Sequence, residues 1–293
     1  MPSGDADVKL SHPDKVLFPD DGITKADLAD YYASVADAMV PHTKDRPMNL
    51  WRWNTGIGGQ RVVQQEIPKG APEWVARVEV PRRRGGNVTH AMINDEPTLR
   101  WLANQNCITP HVWQSRKDKL DRPDRIVFDL DPSVEDELEQ FADVRAGALA
   151  LGEHLRGLGL VPFAMTTGSR GIHVVAPLRR DHDADTVRTR AGEIAEEFAA
   201  GHDTLTTFWR KDKRDGRILV DTARNTYAQT VVAPYAVRAL PGAPVATPLA
   251  WEELEDPELH PRRWTVRDLG ERLERRGDPW SDMRRDARRL PVD

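Results

Sequence analysis

Two aspartates separated by one residue end an apolar run in segment 125–132 of the chain. If that run is a strand, Asp129 and Asp131 point the same way, about 6–7 Å apart. A third acid, Asp221, ends a second apolar run at 218–220. Aspartate oxygens suit Mg²⁺ or Mn²⁺, and two such ions roughly 3.5–4 Å apart stabilise the attacking and leaving oxygens in phosphoryl transfer. The three acids therefore predict a site for two divalent metal ions.

The acidic pair has a simpler interpretation when it is taken alone. Asp129 and Asp131 fit a solvent-exposed strand end, or a cap of the following helix, equally well. Asp221 argues for the metal site, because an acid embedded in an apolar strand gains little unless a cation meets it.

A glycine-rich segment, 166–173, lies between the acids in the sequence and reads TTGSRGIH. Glycines let backbone amides approach an anion, and Thr167, Ser169, Arg170 and His173 can donate to phosphate oxygens. A hairpin turn that happens to carry a cation is the alternative. Beside a metal site, the segment favours a bound nucleoside triphosphate.

Four further candidates lie outside this group. Lys15 and Lys25 flank the start of a predicted helix, where helix N-termini and lysines favour phosphate. His111 and Arg238 are also candidates. A histidine in such a setting is more often structural, and such an arginine is more often a partner in a surface ion pair.

Periodicity indicates the elements that position these residues. In segment 125–132, Ile126, Phe128 and Leu130 share one strand face, and Val127 shares the other with the two acids. Thr24 is expected to cap a helix that runs through Met39. Further helices are predicted at about 97–104, from after Ser133 to about 157, and at 184–200. Further strands are predicted at 161–165, 172–176 and 217–221, and short antiparallel strands between 48 and 80. The predicted fold is an α/β core with mixed or antiparallel central sheets flanked by helices.

Composition indicates a soluble globular protein. The 293 residues are 39% hydrophobic and 30% charged, which is enough to bury a core. We expect a single domain, 1–293, with an N-terminal region at 1–120, a core that carries the acids at 121–240 and a C-terminal wrapping segment at 241–293. The lone Cys107 excludes an intrachain disulfide and is expected to be a packing residue. The polar start and the absence of a long apolar run predict a cytoplasmic protein with no membrane segment. We also expect a monomer.

Several ordered motifs together resemble a known family. They are KVLFP at 15–19, TKADL at 24–28 followed by Tyr31 and Tyr32, VFDLDP at 127–132, GSRGIH at 168–173, Val220-Asp221, TVVAPY at 230–235, and Arg238. Over nearly its whole length the chain resembles the polymerase domain of bacterial ATP-dependent DNA ligase D, a branch of the archaeo-eukaryotic primase superfamily.

The resemblance implies metal-dependent addition of nucleotides, with a leaning towards ribonucleotides, to a primer 3′-hydroxyl during gap filling in non-homologous end joining. Asp129 and Asp131 would ligate both ions, and Asp221 the ion that activates the hydroxyl. Lys15 and Lys25 match a pair that binds a recessed DNA 5′-phosphate, and a Ku-like end-binding protein and a separate ligase are expected partners. The resemblance also implies that 1–120 is the DNA-end and template-facing region and that 121–240 is the catalytic core. The residues implied to bind the nucleotide are His111, Thr167, Ser169, Arg170, His173, Arg224 and Arg238.

The chain also departs from that pattern. Many relatives carry lysine in place of Arg170, and an aromatic pair in place of Val62 and Val63, where template bases stack. Arg224 also differs from the commonest pattern. With no ligase or nuclease region in the sequence, we expect a stand-alone paralogue or an excised domain. Two alternatives stay open: a two-metal nuclease or phosphohydrolase acting with water, and a catalytically weak module that binds DNA ends.

Overall fold

The computed structural model describes residues 8–83, 85–134 and 139–292. The chain forms two compact units. Unit 1 comprises 1–120, 230–246 and 264–277; unit 2 comprises 121–229, 247–263 and 278–293. The single domain of 1–293, with its three regions, stays a prediction. No helix in the described residues is long and apolar enough to cross a membrane.

In the part of the chain that the structure describes, six α-helices and fourteen strands form the two units. The helices are α1 Lys25–Ser34, α2 Ala36–Thr43, α3 Glu96–Asn104, α4 Phe141–Gly157, α5 Ala184–Ala200 and α6 Leu269–Arg276. The strands are β1 Val16–Phe18, β2 Ile23–Thr24, β3 Met48–Trp53, β4 Arg61–Gln64, β5 Arg77–Pro81, β6 Asn87–Ala91, β7 Cys107–Trp113, β8 Arg125–Asp131, β9 Phe163–Thr166, β10 Ile172–Pro177, β11 Leu205–Thr206, β12 Ile218–Asp221, β13 Thr230–Val232 and β14 Thr247–Leu249.

Unit 2 is built on a six-stranded sheet with the order β11-β12-β8-β10-β9-β14. All neighbours are antiparallel except β11 and β12. The alternation predicted for β8 is confirmed, since Ile126, Phe128 and Leu130 are fully buried in the core with residues of α4 and α5. The opposite face of β8 is therefore the one that carries the acids.

The turn between β9 and β10 is closed by its own backbone. Thr167 N–H donates to Gly171 O over 3.0 Å, and Gly171 N–H donates to Thr167 Oγ1 over 3.2 Å. Gly168 has a φ of +66°, which glycine adopts without strain. A Cβ added to Gly171 would stand 2.1 Å from Leu130 O, so only glycine lets the turn lie directly against β8.

Unit 1 contains a four-stranded antiparallel sheet with the order β13-β7-β3-β4, and two-stranded sheets β1-β2 and β5-β6. Thr24 caps α1 through a reciprocal bond with Asp27, as predicted. The helix ends at Ser34, however, and Val35 and Met39 belong to the cap and body of α2. Strand β7 was not predicted: all seven of its residues are buried, so it has no alternation. It includes Cys107, a buried free cysteine, and burial raises the pKa of its thiol to about 12.

We predict that Gly171→Ala destabilises the protein. The new methyl group would clash with the backbone of β8, and overpacking of this kind costs about 1–3 kcal/mol. Gly192→Ala is the matched control, because Gly192 lies inside α5 and, apart from its neighbours and the backbone of its own helix, no atom lies within 4 Å of an added Cβ. That change should leave stability equal or raise it by up to about 1 kcal/mol. Urea unfolding measures both; equal stability of the two variants would contradict the close approach of Gly171 to β8.

Candidate functional site

The acidic cluster lies on the sheet of unit 2, on the face of β8 opposite the core. Asp221 of β12 pairs directly with Asp129 of β8, and His173 of β10 pairs with Asp129 from the other side. Asp131 follows two residues further along the same face. The sheet therefore brings the three predicted acids and His173 together across three adjacent strands.

Charge is concentrated within this cluster. Repulsion from Asp129, then burial, and to a smaller extent Asp221, raise the pKa of Asp131 to about 7, although Arg170 and His173 oppose the shift. Arg170 Nη2 lies 3.8 Å from Asp131 Oδ1, and His173 Nε2 lies 3.4 Å from Asp129 Oδ2. A cation at this face would relieve the repulsion.

The turn at 167–171 is held beside the acids by two sets of contacts. Its own hydrogen bonds shape it, and Arg262 Nε donates to Ser169 O over 3.0 Å. Thr167 and His173 are buried, Ser169 is partly exposed and Arg170 is exposed. Nδ1 of His173 is buried with no hydrogen-bond partner among the described residues. The turn thus places hydroxyl, guanidinium and imidazole groups next to the acidic face.

The segment after β12 is attached to β8 by Asn225, a residue that the sequence did not single out. Its Oδ1 accepts from Val127 N–H over 2.8 Å, and its Nδ2 donates to Val127 O over 2.7 Å. The side chain continues the hydrogen-bond ladder of β8 beyond the end of β12. It fixes the turn that carries Arg224, which is exposed. Ala223 N–H in the same turn donates to Asp221 Oδ1 over 2.8 Å.

A pocket of about 460 Å³ opens beside Asp221. It is bounded by Arg188 and Glu196 of α5 and by Thr222 after β12, and Trp209 forms part of its rim. Trp209 is 72% exposed. Asp221 can therefore be reached by a ligand from solvent.

The other predicted residues belong to unit 1. Lys15 and Lys25 line a pocket of about 640 Å³ together with Ser11, His12 and Asn104; Asp14 and Asn106 complete the lining. Lys25 is buried and donates to Ser11 O over 2.6 Å and to Asn104 O over 3.3 Å. Burial, and then the charge of Lys15, lower the pKa of Lys25. The two lysines are thus brought together in one open pocket.

His111 and Arg238 occupy separate positions in unit 1. His111 is buried in β7, where its ring stacks on Trp51 with a centroid separation of 3.6 Å. Arg238 is partly exposed, and its backbone N–H donates to Pro244 O over 2.7 Å. Trp51, like Asn225, was missed by the sequence analysis, because no pattern along the chain marks a contact between distant strands.

Comparison with known proteins identifies the family. The model of the family described as LigD, primase-polymerase domain, matches residues 24–280. The chain is 33% identical over 283 residues to the multifunctional non-homologous end joining protein LigD of Mycolicibacterium smegmatis, and 34% identical over 289 residues to the Mycobacterium tuberculosis H37Rv multifunctional non-homologous end joining DNA repair protein LigD. Each alignment covers 96% of this chain but only 36% and 37% of the relatives, so the chain spans about a third of their length.

A solved structure agrees with this match. The polymerase domain from Mycobacterium tuberculosis ligase D, in complex with DNA, superimposes with a TM-score of 0.86 at 32% identity. The match covers 96% of this chain and 99% of that domain. The predicted resemblance and fold class are confirmed, and the chain belongs to the LigD primase-polymerase domain family.

Proposed function

We propose that the chain is a template-directed nucleotidyltransferase that adds nucleotides, ribonucleotides in preference, to a primer 3′-hydroxyl. The reaction would fill gaps at DNA ends in non-homologous end joining, the process named for its relatives. The observation that carries the proposal is the pairing of Asp129 with Asp221 across β8 and β12, beside a turn that presents Arg170. This arrangement combines a site for cations with donors for an anionic triphosphate.

The donor set fits divalent metal ions that arrive with the substrate. Among the residues that the structure describes, no group of three or more His, Cys, Asp or Glu side chains could hold a metal ion by itself. Mg²⁺ is commonly bound by one or two carboxylates, with water and substrate phosphates completing its coordination. Asp129 and Asp131 offer two carboxylates on one face, and their mutual repulsion favours a cation. Two bound ions, Mg²⁺ or Mn²⁺, would activate the hydroxyl and stabilise the leaving phosphate oxygens.

Within this proposal each protein group has a distinct task. Asp129 and Asp131 would hold both ions, and Asp221 would hold the ion that activates the attacking hydroxyl. The side chains assigned to the triphosphate in unit 2 are Thr167, Ser169, Arg170, His173 and Arg224. His111 and Arg238 lie in unit 1, and their assignment to nucleotide binding stays a prediction from the family motif. Because phosphoryl transfer depends on positioning and charge, rigidity of the turn at 167–171 favours catalysis.

The lysine pocket of unit 1 is proposed to bind a 5′-phosphate of DNA. Burial first, and then repulsion from the ammonium group of Lys15 in the same pocket, lower the pKa of Lys25. A phosphate would relieve that repulsion and accept charge-assisted hydrogen bonds. The proposed substrate is therefore DNA with a gap or a recessed 5′-phosphate, and a Ku-like end-binding protein and a separate ligase are proposed partners.

We predict that Asp129→Ala abolishes primer extension on a gapped duplex supplied with nucleoside triphosphates and Mn²⁺ or Mg²⁺. Loss of a ligand shared by both ions should lower the rate by at least about a hundredfold, since metal ions contribute several kcal/mol to transition-state stabilisation. EDTA should have the same effect on the wild-type protein. Gel-resolved extension of a labelled primer measures both.

Asp203→Asn provides the matched control, because Asp203 is an exposed acid of unit 2 next to β11. This variant should extend the primer at the wild-type rate. Extension by Asp129→Ala at the wild-type rate would contradict the metal site. Degradation of the DNA without extension would indicate the nuclease alternative, and binding without any chemistry would indicate the DNA-end-binding module.

We predict that Lys15→Ala weakens binding to gapped DNA that carries a 5′-phosphate and lowers the slope of log affinity against log salt by about 1. DNA with a 5′-hydroxyl should bind the variant and the wild type equally. Lys69→Ala, which removes an exposed lysine elsewhere in unit 1, is the control and should not change the difference between the two DNAs. Fluorescence anisotropy measures the affinities; an equal loss for both DNAs would argue against a 5′-phosphate site.

A further inference from the structure

The carbonyl of Ser169 is bound from outside its own turn. The bonds within the turn at 167–171 join Thr167 to Gly171, and Ser169 N–H donates to Thr167 Oγ1 over 3.4 Å. Ser169 O accepts from Arg262 Nε over 3.0 Å, although Arg262 lies 93 residues further along the chain. The tip of the turn is therefore held by a side chain from another segment of unit 2.

The segment that carries Arg262 is fixed to the core of unit 2. It begins with β14, which pairs with β9, and Leu259 near its end is buried in the hydrophobic core. Arg145 of α4 donates from Nη1 to Leu254 O over 3.2 Å. Pro261 is buried directly before Arg262, and its ring restricts the backbone to one range of φ. Arg262 thus extends from a firmly held backbone, so that it can hold the turn in place.

The bond to Ser169 O also orients the next peptide group. In a planar trans peptide the C=O and the following N–H point in opposite directions, and the described residues contain no cis peptide bond. While Arg262 holds the Ser169 carbonyl, the Arg170 N–H must point to the opposite side of the turn. Gly168 and Gly171 lie on either side of this pair, and glycine permits backbone rotations that other residues resist. Without Arg262, the carbonyl could rotate to the side where the N–H now lies.

The orientation of this peptide matters for an anion. A backbone N–H donates to phosphate oxygens, whereas a carbonyl oxygen repels them. The side chain of Arg170 lies at the acidic face, with Nη2 3.8 Å from Asp131 Oδ1. Rotation of the peptide before Arg170 would change the position of this guanidinium as well as the direction of the N–H. One hydrogen bond from Arg262 therefore determines the charge that the tip of the turn presents to an anion.

We propose that Arg262 is a positioning residue for the nucleoside triphosphate. Its bond to Ser169 O keeps the turn at 167–171 in the form that binds the triphosphate chain, and Arg262 makes no contact of its own with the substrate. This inference rests on the proposed function, from which the triphosphate at the turn is taken. It extends the candidate site to a segment, 247–263, that carries none of the predicted site residues.

The test compares the binding of ATP and of AMP, each with Mn²⁺, by isothermal titration calorimetry. Arg262→Met keeps an unbranched apolar stem but has no donor for Ser169 O. It should bind ATP about tenfold more weakly than the wild type, the order expected for one hydrogen bond from a charged group. It should bind AMP equally well, because AMP lacks the triphosphate chain. Arg262→Lys, which keeps a charged donor, should recover part of the affinity for ATP.

Primer extension gives a second readout. Positioning of the turn affects binding of the nucleotide in the ground state and the transition state alike, so Arg262→Met should raise KM for the nucleotide about tenfold and leave kcat within about threefold of the wild type. The affinity for gapped DNA should not change. A merely structural role would lower kcat and the affinity for DNA together with the stability of the fold.

Arg263→Gln is the matched control, because Arg263 is the next residue and is exposed. Exposed charges are screened by salt, so this variant should bind ATP and AMP as the wild type does. An equal loss of ATP affinity in Arg262→Met and Arg263→Gln would indicate a diffuse effect of charge and overturn the positioning role. Unchanged ATP binding in Arg262→Met, or an equal loss for ATP and AMP, would also overturn it. Arg262→Gln tests the same contact if the methionine variant fails to fold.

Calorimetry also separates this inference from the proposed function, because it needs no catalysis. If the wild type binds ATP but does not extend primers, and Arg262→Met still loses affinity for ATP alone, the positioning role stands and the polymerase proposal fails. If extension occurs and Arg262→Met binds ATP as the wild type does, only the positioning role fails.

Discussion

The candidate site depends on like charges that the sheet of unit 2 holds at close range. Two full charges about 6 Å apart repel by about 3 kcal/mol at the effective dielectric of a protein, and protonation of Asp131 is one way to lower that cost. The burial of apolar side chains on the other face of β8 opposes this repulsion. Burial of Ile126, Phe128 and Leu130 under α4 and α5 stabilises the fold by about 1.5–3 kcal/mol for each side chain. The core therefore outweighs the repulsion, and the acids stay in place.

Much of unit 2 could be predicted from the sequence, because local signals determine it. The two-residue alternation of β8 separates the core side from the acidic side without any knowledge of neighbouring strands. Helix α5 has the predicted bounds because Asp183 caps it, accepting from Thr186 N–H, and Gly201 follows its last residue. Glycines mark the turn at 167–171. The family motifs then related these local features to one fold, which the structure match confirms.

Other parts of the structure depend on contacts that no local pattern records. Strand β7 is buried on both faces, so its sequence has no alternation, and its Pro110 argues against a central strand. The break between α1 and α2 at Val35 contains no proline or glycine, so the continuous apolar periodicity predicts one helix. Trp51 and His111 are sixty positions apart in the sequence and meet only because β3 pairs with β7. A contact of this kind cannot be predicted from either strand alone.

A chain with a net charge of −5 has no long-range attraction for a polyanion, and the acids of β8 and β12 add local repulsion. Exposed charges separated by more than about 8–10 Å are also largely screened at physiological salt. Any affinity for nucleic acid must then come from short-range contacts, such as a cation that binds a phosphate out of contact with water. The lysine pair and Arg170 are groups of this kind. Under the proposed function, such contacts would recognise a 5′-phosphate at a DNA end more than the charge of a duplex. A net negative charge is therefore compatible with a protein that distinguishes DNA ends from intact DNA.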